Sequence, residues 1–89
     1  MAIPDYLRQA YENEQAAEKN LNHANLRVRW LERRALDAPT GNEFNFYVSE
    51  LDKAQEEARA AGVQCFDARY KLLQAQYQAQ NEERGRAAL

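Results

Sequence analysis

The residue types best suited to chemistry in this sequence are grouped in one segment, residues 23 to 34, which reads HANLRVRWLERR. Arg29 and Arg33 stand on either side of Trp30, and two further arginines belong to the same segment. Arginine presents forked N–H donors that suit phosphate groups, and tryptophan offers a flat face on which a base can stack. The segment therefore suggests contact with RNA or DNA.

Three observations weaken the nucleic-acid interpretation and leave it as the alternative. Arg27 and Arg34 are expected to pair with acidic residues of a facing helix, Glu57 and Glu50 respectively. The facing segment SELDKAQEE, residues 49 to 57, is acidic and would repel phosphate. The formal net charge of the whole chain, −2, favours no nucleic-acid partner either.

The side chains that commonly perform catalysis have no suitable partners in this sequence. His23 is the single histidine, and the residues three and four positions from it are Lys19, Asn20, Leu26 and Arg27. Cys65 falls among alanines, where a thiol behaves as a small apolar group. No glycine-rich loop that could hold phosphate is present. We therefore expect a protein that is not an enzyme, with no catalytic residue, metal site or cofactor.

The composition is that of long helices in one small domain. The 89 residues include only three glycines and two prolines, which suits uninterrupted helices. No stretch of about 18 apolar residues occurs, so no membrane-spanning helix is predicted. The N-terminal residues lack the basic and apolar regions of a signal peptide. We expect a cytoplasmic protein. Export by a route that needs no signal peptide is left open.

One strong break, DAPTGNE at residues 37 to 43, divides the chain. Pro39 disfavours helix at the residue before it, and Gly41 tolerates positive φ. Thr40 or Asn42 can cap a new helix. The predicted elements are a first helix at about 4–38, a turn at 39–42, a second helix at about 42–83 and a frayed tail at 84–89.

Each predicted helix carries an apolar seam whose members are spaced alternately by four and three residues, as in a coiled coil. In the first helix the seam is Ile3, Leu7, Ala10, Glu14, Ala17, Leu21, Ala24, Val28, Leu31, Ala35 and Ala38. In the second it is Phe44, Tyr47, Leu51, Ala54, Ala58, Ala61, Cys65, Ala68, Leu72, Ala75 and Ala79. Glu14 is the only charged residue in the two seams, and its side chain is expected to reach Arg69 or water.

Folding the chain back at Gly41 pairs seam residues whose numbers sum to 82, so that large residues mostly face small ones. The predicted fold is all-α, an antiparallel two-helix coiled-coil hairpin with an alanine-rich seam. The segment EEARAAGV suggests an alternative, because Gly62 could end a helix in the left-handed conformation. The chain would then form a three-helix bundle with a break near Gly62.

A second apolar stripe runs along the second helix, about 150° from its seam by the helical period. Its members are Val63, Phe66, Tyr70, Leu73 and Tyr77. In water the stripe would expose on the order of 500 Å² of mostly apolar surface, at the upper end of what monomers commonly show. Leu26 and Trp30 point outward from the first helix and form a second patch.

These surfaces predict a protein whose role is association. A two-fold homodimer can bury one stripe against its copy and so form a four-helix bundle. A larger protein partner, for which the hairpin is a scaffold, adaptor or inhibitor, is expected as well. The alternative function uses Arg29 and Arg33 beside Trp30 to bind RNA or DNA. Nothing in the sequence names the partner.

Overall fold

The computed structural model describes residues 3 to 88 and shows a helical hairpin. Helix α1 is Asp5–Leu36 and helix α2 is Gly41–Ala88. The two helices pack against each other in opposite directions, and no strand occurs between residues 3 and 88. The hairpin is a rod of 73 × 18 × 14 Å. The predicted all-helical hairpin is confirmed.

Pro4 sets the beginning of α1. Its carbonyl oxygen accepts hydrogen bonds from the backbone N–H groups of Leu7 and Arg8, both at 3.1 Å. Pro4 lacks the N–H that would be unpaired at this point, and Asp5 places a negative charge at the positive end of the helix dipole. The helix ends at Leu36, two residues before the predicted end. Pro39 accounts for this early end, because it disfavours helical backbone just before it.

Thr40 caps the beginning of α2. Its Oγ1 accepts a hydrogen bond of 3.2 Å from the backbone N–H of Glu43. Its carbonyl oxygen accepts another, of 3.0 Å, from the N–H of Phe44. These bonds satisfy two of the N–H groups that a helix start leaves unpaired. Gly41 is the first residue of α2 and does not adopt positive φ.

The predicted alternative, a break near Gly62, is wrong. Helix α2 passes through Gly62 without interruption, and no glycine in the described chain has positive φ. The helix also continues past the predicted end at about residue 83. The predicted frayed tail is therefore helical as far as Ala88, while Leu89 lies outside the described residues.

The core between the helices is small and rich in alanine. Between residues 3 and 88, the buried side chains are Leu31, Ala35, Ala54, Ala61, Cys65 and Ala75. Every one of them belongs to a predicted seam. The other seam residues are half-buried, except Ile3 and Phe44, which are exposed near the two ends of the hairpin. Small side chains let two helix axes approach closely, which is why alanine dominates this contact.

Ion pairs between the helices follow the prediction only in part. The Glu14 carboxylate accepts a 3.4 Å hydrogen bond from Arg69 Nε, as expected for an acid on the seam. Arg27, however, lies 3.9 Å from Glu50 and not beside Glu57.

Arg34 was predicted to pair with Glu50, and this is also wrong. Its guanidinium lies over the Trp30 ring, 5.1 Å from the ring centre. A long arginine side chain can extend toward either of two successive turns of the facing helix. The register of the seam therefore does not determine its partner.

Candidate interaction surfaces

The predicted stripe lies on the side of α2 that faces away from α1, and all its side chains are more than half exposed. Their exposed fractions are 65% for Val63, 74% for Phe66, 54% for Tyr70, 64% for Leu73 and 67% for Tyr77. Because α2 is unbroken, the three- and four-residue spacing keeps these residues on one face. At about 1.5 Å per residue the stripe is roughly 21 Å long.

The hairpin exposes more surface than a compact protein of its size. Its accessible surface is 7113 Å², whereas a compact monomer of 10.3 kDa would expose about 5,400 Å². Its radius of gyration is 20.3 Å, against roughly 12 Å for a compact chain of this length. The difference in area, about 1,700 Å² on one chain, is roughly twice the 800 Å² that each partner buries in a standard protein–protein interface.

The second patch lies on α1, closer to the turn. Leu26 is 61% exposed and Trp30 is 54% exposed, with Arg34 stacked on the Trp30 ring. Arg29 and Arg33 are exposed, and neither has a carboxylate of residues 3 to 88 within ion-pair distance. In the seam register, residues 26 and 30 lie at the same level along the hairpin as residues 56 and 52 of α2. This patch therefore lies beside the acidic part of α2, and the stripe lies nearer the open end.

A shallow groove accompanies this patch. It is lined by Arg29, Trp30, Glu32, Arg33, Leu36 and Asp37. The two carboxylates in this set offset part of the arginine charge. A ligand of this groove would therefore meet both charges and an aromatic face.

Two exposed apolar residues near the turn were not singled out by sequence reasoning. Leu36 is 84% exposed at the end of α1, and Phe46 is 60% exposed in the first turns of α2. The Phe46 ring packs edge-on against Tyr47, with 5.4 Å between ring centres and 71° between planes. Both are large apolar residues outside the seam pattern, and this is the sequence feature from which their exposure could have been predicted.

Polar contacts join the helices at the open end. The Tyr6 hydroxyl donates a 2.9 Å hydrogen bond to Glu82, and the Gln76 amide donates one of 3.0 Å to the Tyr11 hydroxyl. Partial burial, followed by the hydrogen bond and the negative charge of Glu82, raises the pKa of Tyr6 above its ordinary value. These contacts hold the last turns of α2 against the first turns of α1.

The remaining reactive side chains are separate from one another. Cys65 is 1% exposed and lies in the seam, as predicted, while His23 is exposed on α1. Over residues 3 to 88, no three His, Cys, Asp or Glu side chains lie close enough together to hold a metal ion. In that same range neither helix is long and apolar enough to cross a membrane.

No protein-family model matches the sequence, and no curated protein or solved structure matches it significantly. The functional interpretation therefore rests on the surfaces of the hairpin itself.

Proposed function

We propose that this protein is a non-catalytic interaction module, a small scaffold, adaptor or inhibitor, that associates through the stripe on α2. The first partner in this proposal is a second copy of the same chain. The observation that carries the proposal is the contrast between two surfaces. The seam between the helices buries mostly alanine, whereas the stripe holds five large apolar or aromatic side chains in water.

The small core supports this proposal because it provides little driving force for folding. Of the six buried residues, four are alanines, and Leu31 is the single large aliphatic one in the described chain. At 89 residues the chain is just above the size, roughly 70–80 residues, below which one hydrophobic core usually needs a staple or oligomerisation, and a two-helix contact buries less than a compact core of that size. Cys65 forms no disulfide, and residues 3 to 88 contain no group of three His, Cys, Asp or Glu side chains that could hold a metal ion. Association would supply the missing apolar burial.

The stripe supplies most of the apolar area that a dimer would need. Burying the stripes of two copies removes about 1,000 Å² of surface, a gross gain of roughly 25 kcal/mol at ~25 cal/mol per Å². Association costs about 4–15 kcal/mol in lost freedom and side-chain ordering. The gain exceeds the cost, and contacts beside the stripe would bring the total area toward the usual range for stable interfaces.

In the proposed homodimer, the two α2 helices lie at the centre and each α1 packs on the outer side of its own α2. The dimer then contains four helices in the order α1, α2, α2 and α1, a flatter arrangement than a four-helix bundle around one common core. Tyr70 and Tyr77 suit such an interface, because their rings can be buried while the hydroxyls stay in water. The patch of Leu26 and Trp30 would remain accessible to a larger protein.

The test is the solution mass by light scattering over a concentration series. We expect a dimer of about twice the chain mass of 10.3 kDa. The double variant Tyr70→Glu with Phe66→Ala should be monomeric, and its helical circular dichroism should melt at a lower temperature than that of the parent, because it loses the apolar burial that association supplies. The matched control, Gln64→Glu with Ser49→Ala, makes similar changes on exposed α2 positions off the stripe and should remain dimeric. A monomeric parent chain, or a variant that still dimerises, would contradict the proposal.

A second candidate function is nucleic-acid binding, and the exposed group on α1 favours it. Arg29 and Arg33 are without ion-pair partners in the described chain, and Trp30 is 54% exposed although Arg34 lies over its ring. RNA or DNA would then bind with an affinity that falls steeply with salt. Arg29→Ala with Arg33→Ala should abolish binding, whereas the control Arg8→Ala with Lys19→Ala should retain it. If no mobility shift appears at low salt, this function is excluded.

A further inference from the structure

The apolar stripe on α2 is nearly symmetric about Tyr70. Val63 lies seven residues before it and Tyr77 seven residues after it. Phe66 and Leu73 lie four residues before and three residues after. If the stripe is reversed end to end, its large side chains fall on nearly the same positions. This is the property that a two-fold interface requires, because the same surface must complement itself.

Opposite charges stand at the two ends of the stripe, at equal distances from Tyr70. Continuing the spacing by seven residues in each direction leads to Glu56, fourteen residues before, and Arg84, fourteen residues after. Both are exposed. Glu56 contacts Arg59 at 3.0 Å within its own helix, and Arg84 lies near no carboxylate at ion-pair distance in the described chain. The exposed Glu56–Arg59 pair is worth about 1 kcal/mol or less, and the Glu56 carboxylate can accept a hydrogen bond from a second cation at the same time.

We propose, on the basis of the self-association argued above, that the second copy binds antiparallel about a two-fold axis at Tyr70. Glu56 of each copy then lies opposite Arg84 of the other, and these two equivalent pairs select the orientation. Val63 faces Tyr77 across the axis, and Phe66 faces Leu73.

The charges discriminate between the two possible orientations. In a parallel dimer Glu56 meets Glu56 and Arg84 meets Arg84, so both ends of the interface carry like charges. In the antiparallel dimer both ends carry opposite charges. Charge pairs at the edge of a helix contact commonly determine orientation and partner choice in this way.

The first test reverses these charges and measures the dimer dissociation constant. Arg84→Glu places two carboxylates at each end of the antiparallel interface and should weaken the dimer at least about ten-fold. Adding Glu56→Arg restores opposite charges and should bring the constant back to within about three-fold of the parent value. The control Arg86→Glu makes the same change at the same end of α2, off the stripe. It should alter the constant by less than about two-fold.

The outcomes separate the orientation from the proposed function. In a parallel dimer, Arg84→Glu would exchange one like-charge contact for another and leave the constant unchanged. That result, together with loss of the dimer in the Tyr70→Glu and Phe66→Ala variant, overturns the antiparallel assignment and leaves self-association standing. A parent chain that is monomeric at all concentrations overturns both.

The second test measures the distance between spin labels attached at one position in the two copies. Ala87→Cys in a Cys65→Ala background gives a single labelling site near the end of α2, at an exposed position. In the antiparallel dimer the two labels are about 50 Å apart, from 34 residues at ~1.5 Å each. In a parallel dimer they are less than about 20 Å apart, because the helix axes lie roughly 8–10 Å from each other. A short distance would overturn the proposal.

Discussion

Replacing Gly62 by alanine should stabilise the hairpin, and the structure determines both the sign and the size of the effect. Gly62 lies well inside α2 and does not adopt positive φ. Alanine is more favourable than glycine in a helix interior by about 0.8–1.0 kcal/mol. A Cβ atom at this position would lie 3.9 Å from Leu21 Cδ1, an ordinary van der Waals contact. No packing cost therefore offsets the gain, and we expect about 1 kcal/mol of added stability.

The assay is thermal and urea unfolding followed by circular dichroism, with parent and variant compared at equal protein concentrations. A gain of 1 kcal/mol corresponds to a rise in Tm of about 4–8 °C for a domain of 60–100 residues. Gly85→Ala is the control, because that position is also open, with nothing within 4 Å of the added Cβ, but lies near the helix end. Its effect should be clearly smaller. Destabilisation by Gly62→Ala would mean a left-handed glycine and would refute the continuous α2.

Two further changes test the core and the open end. Leu31→Ala should destabilise the hairpin by about 2–5 kcal/mol, because Leu31 is only 3% exposed. The control Leu36→Ala changes a site that is 84% exposed, and it should change the unfolding free energy by less than about 0.5 kcal/mol. The pKa of Tyr6 is raised in the folded chain, where its neutral hydroxyl donates a hydrogen bond to Glu82. This bond therefore stabilises the fold fully at pH values below the pKa of Tyr6 in the unfolded chain, and the contribution is lost as the pH rises through the pKa in the folded chain. Tyr6→Phe should therefore remove part of the alkaline loss of stability, seen as a smaller fall in Tm at high pH.

The sequence was sufficient to predict the hairpin because the four-and-three spacing runs along both helices and one strong break, at residues 37 to 43, separates them. The four-and-three spacing continued without interruption through Ala58, Ala61 and Cys65, and α2 is continuous there. Gly62 suggested a break only because the residues around it resemble a helix C-terminus that ends at a left-handed glycine. A single helical glycine costs roughly 1 kcal/mol, which the packing of the surrounding seam against α1 can exceed. The periodic pattern was therefore a better guide than the local signal.

The arginine contacts could not be predicted in the same way. The register of the seam places backbones opposite one another, but an arginine side chain reaches several ångströms along the axis. Arg27 consequently pairs with Glu50, and Arg34 stacks on Trp30. Each such contact on a solvent-exposed surface is worth about 1 kcal/mol or less. Differences of this size between competing partners cannot be read from residue spacing.

The alanine seam explains why folding and association are hard to separate in this protein. Two helices can lie close together only if the residues between them are small, and here that requirement is met by alanines such as Ala54 and Ala61. Small residues, however, bury little apolar area, so the contact that shapes the hairpin contributes little to its stability. The large side chains that could contribute more, among them Phe66 and Tyr70, lie on the opposite face of α2. These side chains can add to the stability only when another surface packs on that face and buries them. A partner would therefore stabilise the hairpin as well as bind to it.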